Sequence, residues 1–322
     1  MARARNLLIR TLAGAMAPGG HRARLSTLIY HRVIAHDDTL NTWDVTAEVF
    51  ESQMRLIAES FKALPLSEAI ERLARGDLPP RSVCITFDDG YLDNAEVALP
   101  ILQKFGVPAT FFVATGYLNG GRMWNDTVID AVRAVPGPTL DLRAWGLPFF
   151  ELDSLPARRK AIQSILGAWK YLPDGERESR ALRLAEDAGV AESRGPMMAA
   201  PHVRALQAAG MEIGAHSVTH PILALTSPSE ARREIVESGE TLSEIVGERV
   251  RLFAYPNGKP GQDYGPEHVR MVRDAGYSAA MSTAWGVAAA GSDVYQLPRF
   301  TPWDRTPVRF ALRLLRNTRN VH

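Results

Sequence analysis

The chain has 322 residues, 46% hydrophobic and 23% charged, with a formal net charge of +1. That composition belongs to an ordinary globular protein, long enough for one large α/β domain with insertions or for two smaller domains. It excludes global steering toward nucleic acid, and a single cysteine, Cys84, excludes a disulfide framework or a cysteine-rich metal centre.

Residues 1–24 read as a basic amphipathic segment, in which Arg3 and Arg5 precede Leu7, Leu8, Ile9 and Leu12, and Arg10 interrupts the apolar run. The interruption leaves neither a signal-peptide core nor the roughly 20 apolar residues of a membrane span. Residues 307–322 have the same character, with Val308, Phe310, Leu312, Leu314 and Leu315 among Arg309, Arg313, Arg316 and Arg319. Two readings stand for both ends: a helix packed on the domain with solvated arginines, or a helix face that touches an anionic membrane surface. The expected location is cytoplasmic, with peripheral membrane contact through these termini and no nucleic-acid partner.

Between the termini, β-branched runs alternate with helical periodicity. Residues 25–30 predict a first strand, and His31 follows directly. A helix over 47–60 carries Phe50, Met54 and Ile57 on one face; a short strand over 61–66 comes next, with Ser67 as the expected N-cap of a further helix. Strand 82–87, a helix over 94–105 stopped by Gly106, and strand 109–113 continue the order, which implies parallel strands with crossover helices. The alternation pauses over 117–200, where helical stretches at 128–135, 155–169 and 177–188 predict an insertion in a loop of the scaffold. Trp124, Asn125 and Asp126 at its start could reach a site or serve structure alone. A helix over 202–209, strand 211–215, helix 229–246, strand 251–255, helix 267–275 and short strands at 278–281 and 296–300 complete the pattern.

Strand 82–87 ends in Asp88-Asp89-Gly90-Tyr91. Alone, this reads as a strand closed by an ordinary turn, or as the carboxyl-end position where α/β proteins keep their chemistry. Strand 211–215 runs into His216-Ser217-Val218-Thr219-His220-Pro221. A pair of histidines four apart is often incidental, and no glutamate follows His216 as in a zincin helix. Parallel strands nevertheless bring both segments to one face. Two histidines and one carboxylate make a three-ligand metal site with open positions, leaving the second carboxylate as a base.

Taken together, these stretches resemble the polysaccharide deacetylases, the NodB-homology domain of carbohydrate esterase family 4. Residues 86–91 are similar to that family's first motif, 216–221 to its second, and 253–258 to its third, which lines one wall of the groove. The resemblance spans about residues 25–300 and implies a distorted (β/α) barrel, here with a helical insertion. It also implies Asp88 as catalytic base, Asp89, His216 and His220 as metal ligands, the Tyr91 backbone N–H as an oxyanion donor, and Tyr255, Pro256 and Asn257 along the groove. The implied reaction is metal-dependent removal of an N-acetyl, occasionally an O-acetyl, group from an amino sugar of a polysaccharide, oligosaccharide or glycolipid precursor. The ligand types make zinc the default, with cobalt, nickel or manganese able to use the same three side chains.

The sequence departs from the family pattern in two places. The third motif's usual arginine partner of the base is replaced by Ala254, so Arg299, near the end of strand 296–300, is the expected substitute. The late histidine motif has no counterpart, and His31 becomes the candidate general acid, its alternative being a structural histidine that holds a loop. Trp303 could contact sugar or fill the core. Competing functions are a deformylase or other amide hydrolase on a lipid-linked sugar, and a non-catalytic carbohydrate-binding protein on the same scaffold.

Overall fold

The computed structural model describes residues 2–190 and 195–322, and the side chains of residues 2–6 and 8 lie outside the described set. Arg3, Arg5 and Leu8, part of the amphipathic reading of the amino terminus, fall among those side chains, and residues 191–194 of the expected insertion lie outside the described residues. The chain divides into two units, Met1–His36 with Val45–Asn119 and Met198–His322, and Asp37–Asp44 with Gly120–Met197.

The first unit is built on strands β1 (Arg24–Tyr30), β2 (Lys62–Ala63), β3 (Ser82–Phe87), β4 (Ala109–Val113), β5 (Glu212–Ala215), β6 (Leu252–Ala254), β7 (Ala279–Met281) and β8 (Ala288–Ala289). Their order in the sheet is β7-β6-β5-β4-β3-β1-β8, with β2 beside β3. Only the β1–β8 pair is antiparallel. Parallel neighbours require crossovers. These come from α2 (Ala47–Ser60), α3 (Leu66–Arg75), α4 (Leu99–Phe105), α5 (Ala200–Ala208), α6 (Pro228–Val246) and α7 (Pro266–Asp274), while α1 (Ala2–Met16) precedes the sheet and α8 (Pro307–Asn317) follows it. β3 is buried along its whole length, as a central parallel strand covered on both faces should be. Its Phe87 stacks between Tyr30 and Phe111, at centroid distances of 5.4 and 4.7 Å.

Three expectations are corrected here. The strand over 61–66 contracts to Lys62–Ala63, because Pro65 cannot extend the ladder and instead stands at the start of α3. Ser67 is not the N-cap. It lies in the first turn of α3, where the Glu212 carboxylate accepts the N–H groups of Leu66 at 2.7 Å and Ser67 at 3.2 Å. A tertiary anion thus takes the cap's role at the positive end of the helix. The strand over 296–300 is a strip held by bridges from Leu297 to Met281 and from Phe300 to Leu28. Pro298 deprives it of a donor, so no continuous ladder forms. The strip spans β7 and β1, and the sheet curls back on itself as a distorted (β/α) barrel.

The second unit consists of helices Trp124–Ala134, Leu155–Trp169 and Asp174–Asp187 with a hairpin of Thr139–Asp141 and Phe149–Glu151. It has its own core, in which Val128, Val132, Ile162, Ile165, Trp169 and Leu184 are joined by Leu40 from Asp37–Asp44. Arg133 pairs with Asp38 at 2.7 Å and ties that strand of chain in. Trp124 stands under the Arg177 guanidinium, 5.2 Å from its ring centroid, which gives it a role inside this unit.

Candidate active site

Asp88 still belongs to the sheet, donating its N–H to the Tyr30 carbonyl at 2.9 Å. Asp89 and Gly90 then turn left-handed, at φ +77° and +91°. The reversal separates two adjacent carboxylates and gives them different partners. A Cβ on Gly90 would lie 2.9 Å from Val113 Cγ1, so conformation and space both demand glycine here.

Asp88 is 2% exposed and Arg299 is 0% exposed. Arg299 donates from Nη1 to Asp88 Oδ1 at 2.7 Å and from Nη2 to Oδ2 at 2.8 Å, a bidentate pair. It also donates from Nη1 to Thr86 Oγ1 at 3.1 Å and from Nε to the Ser282 carbonyl at 3.1 Å, and it lies 5.4 Å from the Phe112 ring centroid. Burial alone would raise the Asp88 carboxyl, but the Arg299 guanidinium, with His216 beyond it, holds it below the usual carboxylate range. Arg299 therefore supplies, from the sheet's closing strip, the charge that Ala254 cannot.

Asp89 faces the histidines instead. Its Oδ1 lies 3.5 Å from His216 Nε2 and 3.4 Å from His220 Nε2, and the three ligand atoms fall within 4.8 Å of one another. His216 Nδ1 sits 2.8 Å from the Ala254 carbonyl, which can only accept, so Nδ1 carries a proton and Nε2 is the ring nitrogen turned to the cluster. No Lys or Arg among the described residues pairs with Asp89. Against the cost of its burial, His216, His220 and His31 keep its pKa well below the ordinary value. Burial disfavours a charged His216, yet Asp88 and Asp89 push its pKa up. With Arg299 committed to Asp88, the cluster holds one carboxylate and two imidazoles converging on a point, the donor set of a divalent ion such as zinc. The residues present fit that ion.

The turn carrying the histidines is held by a residue the sequence did not flag. Ser217 and His220 adopt φ +63° and +55°. Glu234, 3% exposed on α6, accepts the N–H groups of Val218 at 2.8 Å and Thr219 at 2.7 Å and the Thr219 hydroxyl at 2.9 Å. The available signal was a glutamate on the apolar stripe Ala231, Ile235, Ser238, Leu242 of that helix. Glu234 holds the turn and not the ligands themselves, so Glu234→Gln is expected to weaken metal binding by less than the roughly 10- to 100-fold typical of a ligand's direct outer partner. Calorimetric zinc titration checks this, and unchanged affinity would leave Glu234 with a purely structural role.

The remaining candidates separate. His31 is exposed and lies within electrostatic reach of both Asp88 and Asp89, while its carbonyl accepts from Asn94 Nδ2 at 2.8 Å. Next to it Arg32 pairs with Asp93 at 2.8 Å and covers the buried Tyr91 ring. Tyr255 does not line a groove: its ring is fully buried, stacked on Tyr264 at 3.8 Å, with its hydroxyl donated to the Tyr295 carbonyl. Pro256 is buried too, because Tyr255 and Pro256 close the core beneath the turn, and only Asn257, at φ +60°, is partly exposed. Trp303 is 58% exposed, which removes the core reading, and it pairs with Trp285 at 5.3 Å. Trp285 follows Ala284, whose carbonyl accepts the Arg299 N–H at 3.0 Å, so both tryptophans flank the strip that carries Arg299.

Comparison with known proteins points one way. A family model described as polysaccharide deacetylase matches residues 75–135 and 191–280. The chain is 21% identical over 279 residues to the candidate polysaccharide deacetylase YxkH of Bacillus subtilis, covering 86% of this chain and 71% of that protein. It is 36% identical over 116 residues to a poly-beta-1,6-N-acetyl-D-glucosamine N-deacetylase of Staphylococcus aureus, matching 34% of this chain and only 39% of that enzyme. Among solved structures, the Streptococcus pyogenes deacetylase PplD in complex with acetate aligns with a TM-score of 0.60 at 20% identity, over 92% of this chain and 99% of that one. IcaB from Ammonifex degensii aligns with a TM-score of 0.58 at 20% identity, over 92% and 98%. At that identity the two structures speak for the fold.

Proposed function

This chain belongs to the polysaccharide deacetylase family, and we propose that it is a metal-dependent hydrolase that removes N-acetyl groups from amino sugars within a polysaccharide. The observation that carries this reading is the division of the adjacent acids: Asp89 turned to His216 and His220, Asp88 locked by Arg299 beside them. Asp89, His216 and His220 would hold the ion, zinc by ligand type. Such an ion, when bound, makes a bound water more acidic and polarises an acyl carbonyl.

The chain's own groups supply the rest. Asp88, ionised at neutral pH, accepts the proton of the attacking water. The Tyr91 backbone N–H, on the turn after Gly90, is assigned to the developing oxyanion. As the new C–O bond replaces the C–N bond, the leaving amine needs a proton, and His31 is the exposed imidazole assigned to give it. The products are acetate and a free amino sugar. Trp303 and Trp285, exposed beside the Arg299 strip, suit the apolar face of a sugar ring, and Asn257 a polar edge. The basic termini suit peripheral contact with an anionic surface, and no part of the reading calls for nucleic acid.

The test is acetate release from a panel of N-acetylated glycans, poly-β-1,6-N-acetylglucosamine included, before and after chelation and zinc return. Release that disappears with chelator and returns with zinc is expected. A metal-loaded protein that binds glycan but frees no acyl group would instead support the binding-protein reading. His31→Gln should lower turnover about 100- to 10,000-fold, the range for a general acid, with metal affinity unchanged. Unaltered turnover would remove His31 from the mechanism.

A further inference from the structure

The first helix, α1, and the last, α8, pack against each other and on α2. Each is anchored by an apolar stripe: Ile9, Ala13 and Ala17 for the first, Phe310, Ala311, Leu314 and Leu315 for the last. Arg24 donates to the Thr318 carbonyl and fixes the end of α8. Packing therefore accounts for one side of each helix and leaves the other unexplained.

That outer side has an unusual make-up. Leu7 is 66% exposed and Leu312 is 58% exposed, with Leu12 and Val308 also open. Around Leu312, one helical turn away in either direction, stand exposed Arg309 and Arg316, and Arg319 lies beyond. None of these three makes an ion pair among the described residues. Arg10 is exposed on α1. Arg81 feels its own partial burial first and then the charge of Arg10, and both lower its pKa. Residues 1–24 contain five arginines and residues 307–322 four, with no acid in either, so the remaining chain carries a net charge of −8 although the whole is +1; of these arginines, Arg313 is paired with Asp304. A protein needing only solubility would mix both signs on such a surface.

We propose that α1 and α8 form a composite membrane-docking face that lays its exposed leucines into the headgroup boundary of a bilayer while Arg10, Arg309, Arg316 and Arg319 hold anionic phospholipid. Exposed apolar side chains interleaved with unpaired arginines are the make-up of an interfacial helix. Nucleic acid would use the arginines but has no use for Leu7, Leu12, Val308 and Leu312. A second copy of the chain would bring the same positive charge against itself. The chemistry thus selects a lipid surface.

The test is co-sedimentation of the full chain with vesicles of phosphatidylcholine alone and of an equal mixture of phosphatidylcholine and phosphatidylglycerol. Binding to the mixed vesicles only, weakening as salt rises, is expected. At about fivefold per arginine near a charged surface, Arg309→Gln with Arg316→Gln should lower partitioning roughly 30-fold. Leu312→Ser should lower it under conditions where charge is unchanged, with circular dichroism unaltered in both cases. Equal binding to both vesicles, no binding to either, or binding indifferent to the arginine pair would overturn the proposal. So would a wild-type salt series in which only an oligonucleotide, or only self-association read by light scattering, responds.

Discussion

Replacing Asp88 with asparagine is expected to lower turnover about 100- to 10,000-fold, the usual contribution of a positioned base, while zinc affinity stays within a few-fold of wild type. The substitution keeps the shape of the side chain and all three candidate ligands, so it separates proton transfer from metal binding. It also places an amide N–H₂ against Arg299 Nη2, where the carboxylate oxygen now accepts at 2.8 Å. Some loss of stability is therefore expected, and turnover should be compared on protein shown by calorimetry to be folded and metal-loaded. A loaded variant with wild-type turnover would transfer the base to another group.

The second large effect is expected at Arg299. Its guanidinium is fully buried and makes four polar contacts, so Arg299→Met leaves the Asp88 carboxylate buried with its main cationic partner gone. Breaking one side of a buried pair costs about 3–5 kcal/mol, readable as a large fall in the denaturation midpoint. Activity adds a readout that a merely structural role would not move. Burial pushes the Asp88 pKa up and Arg299 leads the groups that hold it down. The base works ionised, so activity falls as pH drops through that pKa. Without the guanidinium the pKa rises, and the acid limb of the rate profile moves to higher pH. Arg299→Lys keeps the charge but not the fork; it should show a smaller displacement of the same sign and serves if the methionine variant does not fold. An acid limb fixed in place in both variants would reduce Arg299 to a packing residue.

Much of this site was legible because it depends on residue type at strand ends. Asp88 and Asp89 follow the β-branched and aromatic residues of β3, His216 and His220 follow the end of β5, and parallel strands bring such positions to one face. Arg299 was legible for the same reason, once Ala254 left the base without a partner. What stayed hidden depended on direction and on distance in sequence. Alternation places Tyr255 near the third motif but does not say that its ring turns inward onto Tyr264. Glu234 and Glu212 act across 15 and 146 residues, on the Thr219 and Leu66 N–H groups, and each reads locally as one more helix or strand acid. The same distance in sequence explains Ser67, whose capping role is displaced by a carboxylate from β5. The share of the helical unit that comes from Asp37–Asp44 was also invisible, since nothing local marks that stretch as a partner of Arg133 and Arg159.

The strip of residues 297–300 joins β7 and β1 by isolated bridges, and Arg299 is its third residue. Opening it locally breaks fewer hydrogen bonds than unfolding the sheet does, yet it withdraws the guanidinium from Asp88. The cation that faces Asp88 is thus carried by a strip that isolated bridges, and no continuous ladder, hold to the sheet. On gentle heating the enzyme should fall silent before far-UV circular dichroism registers any melting, and on prompt cooling it should recover without refolding.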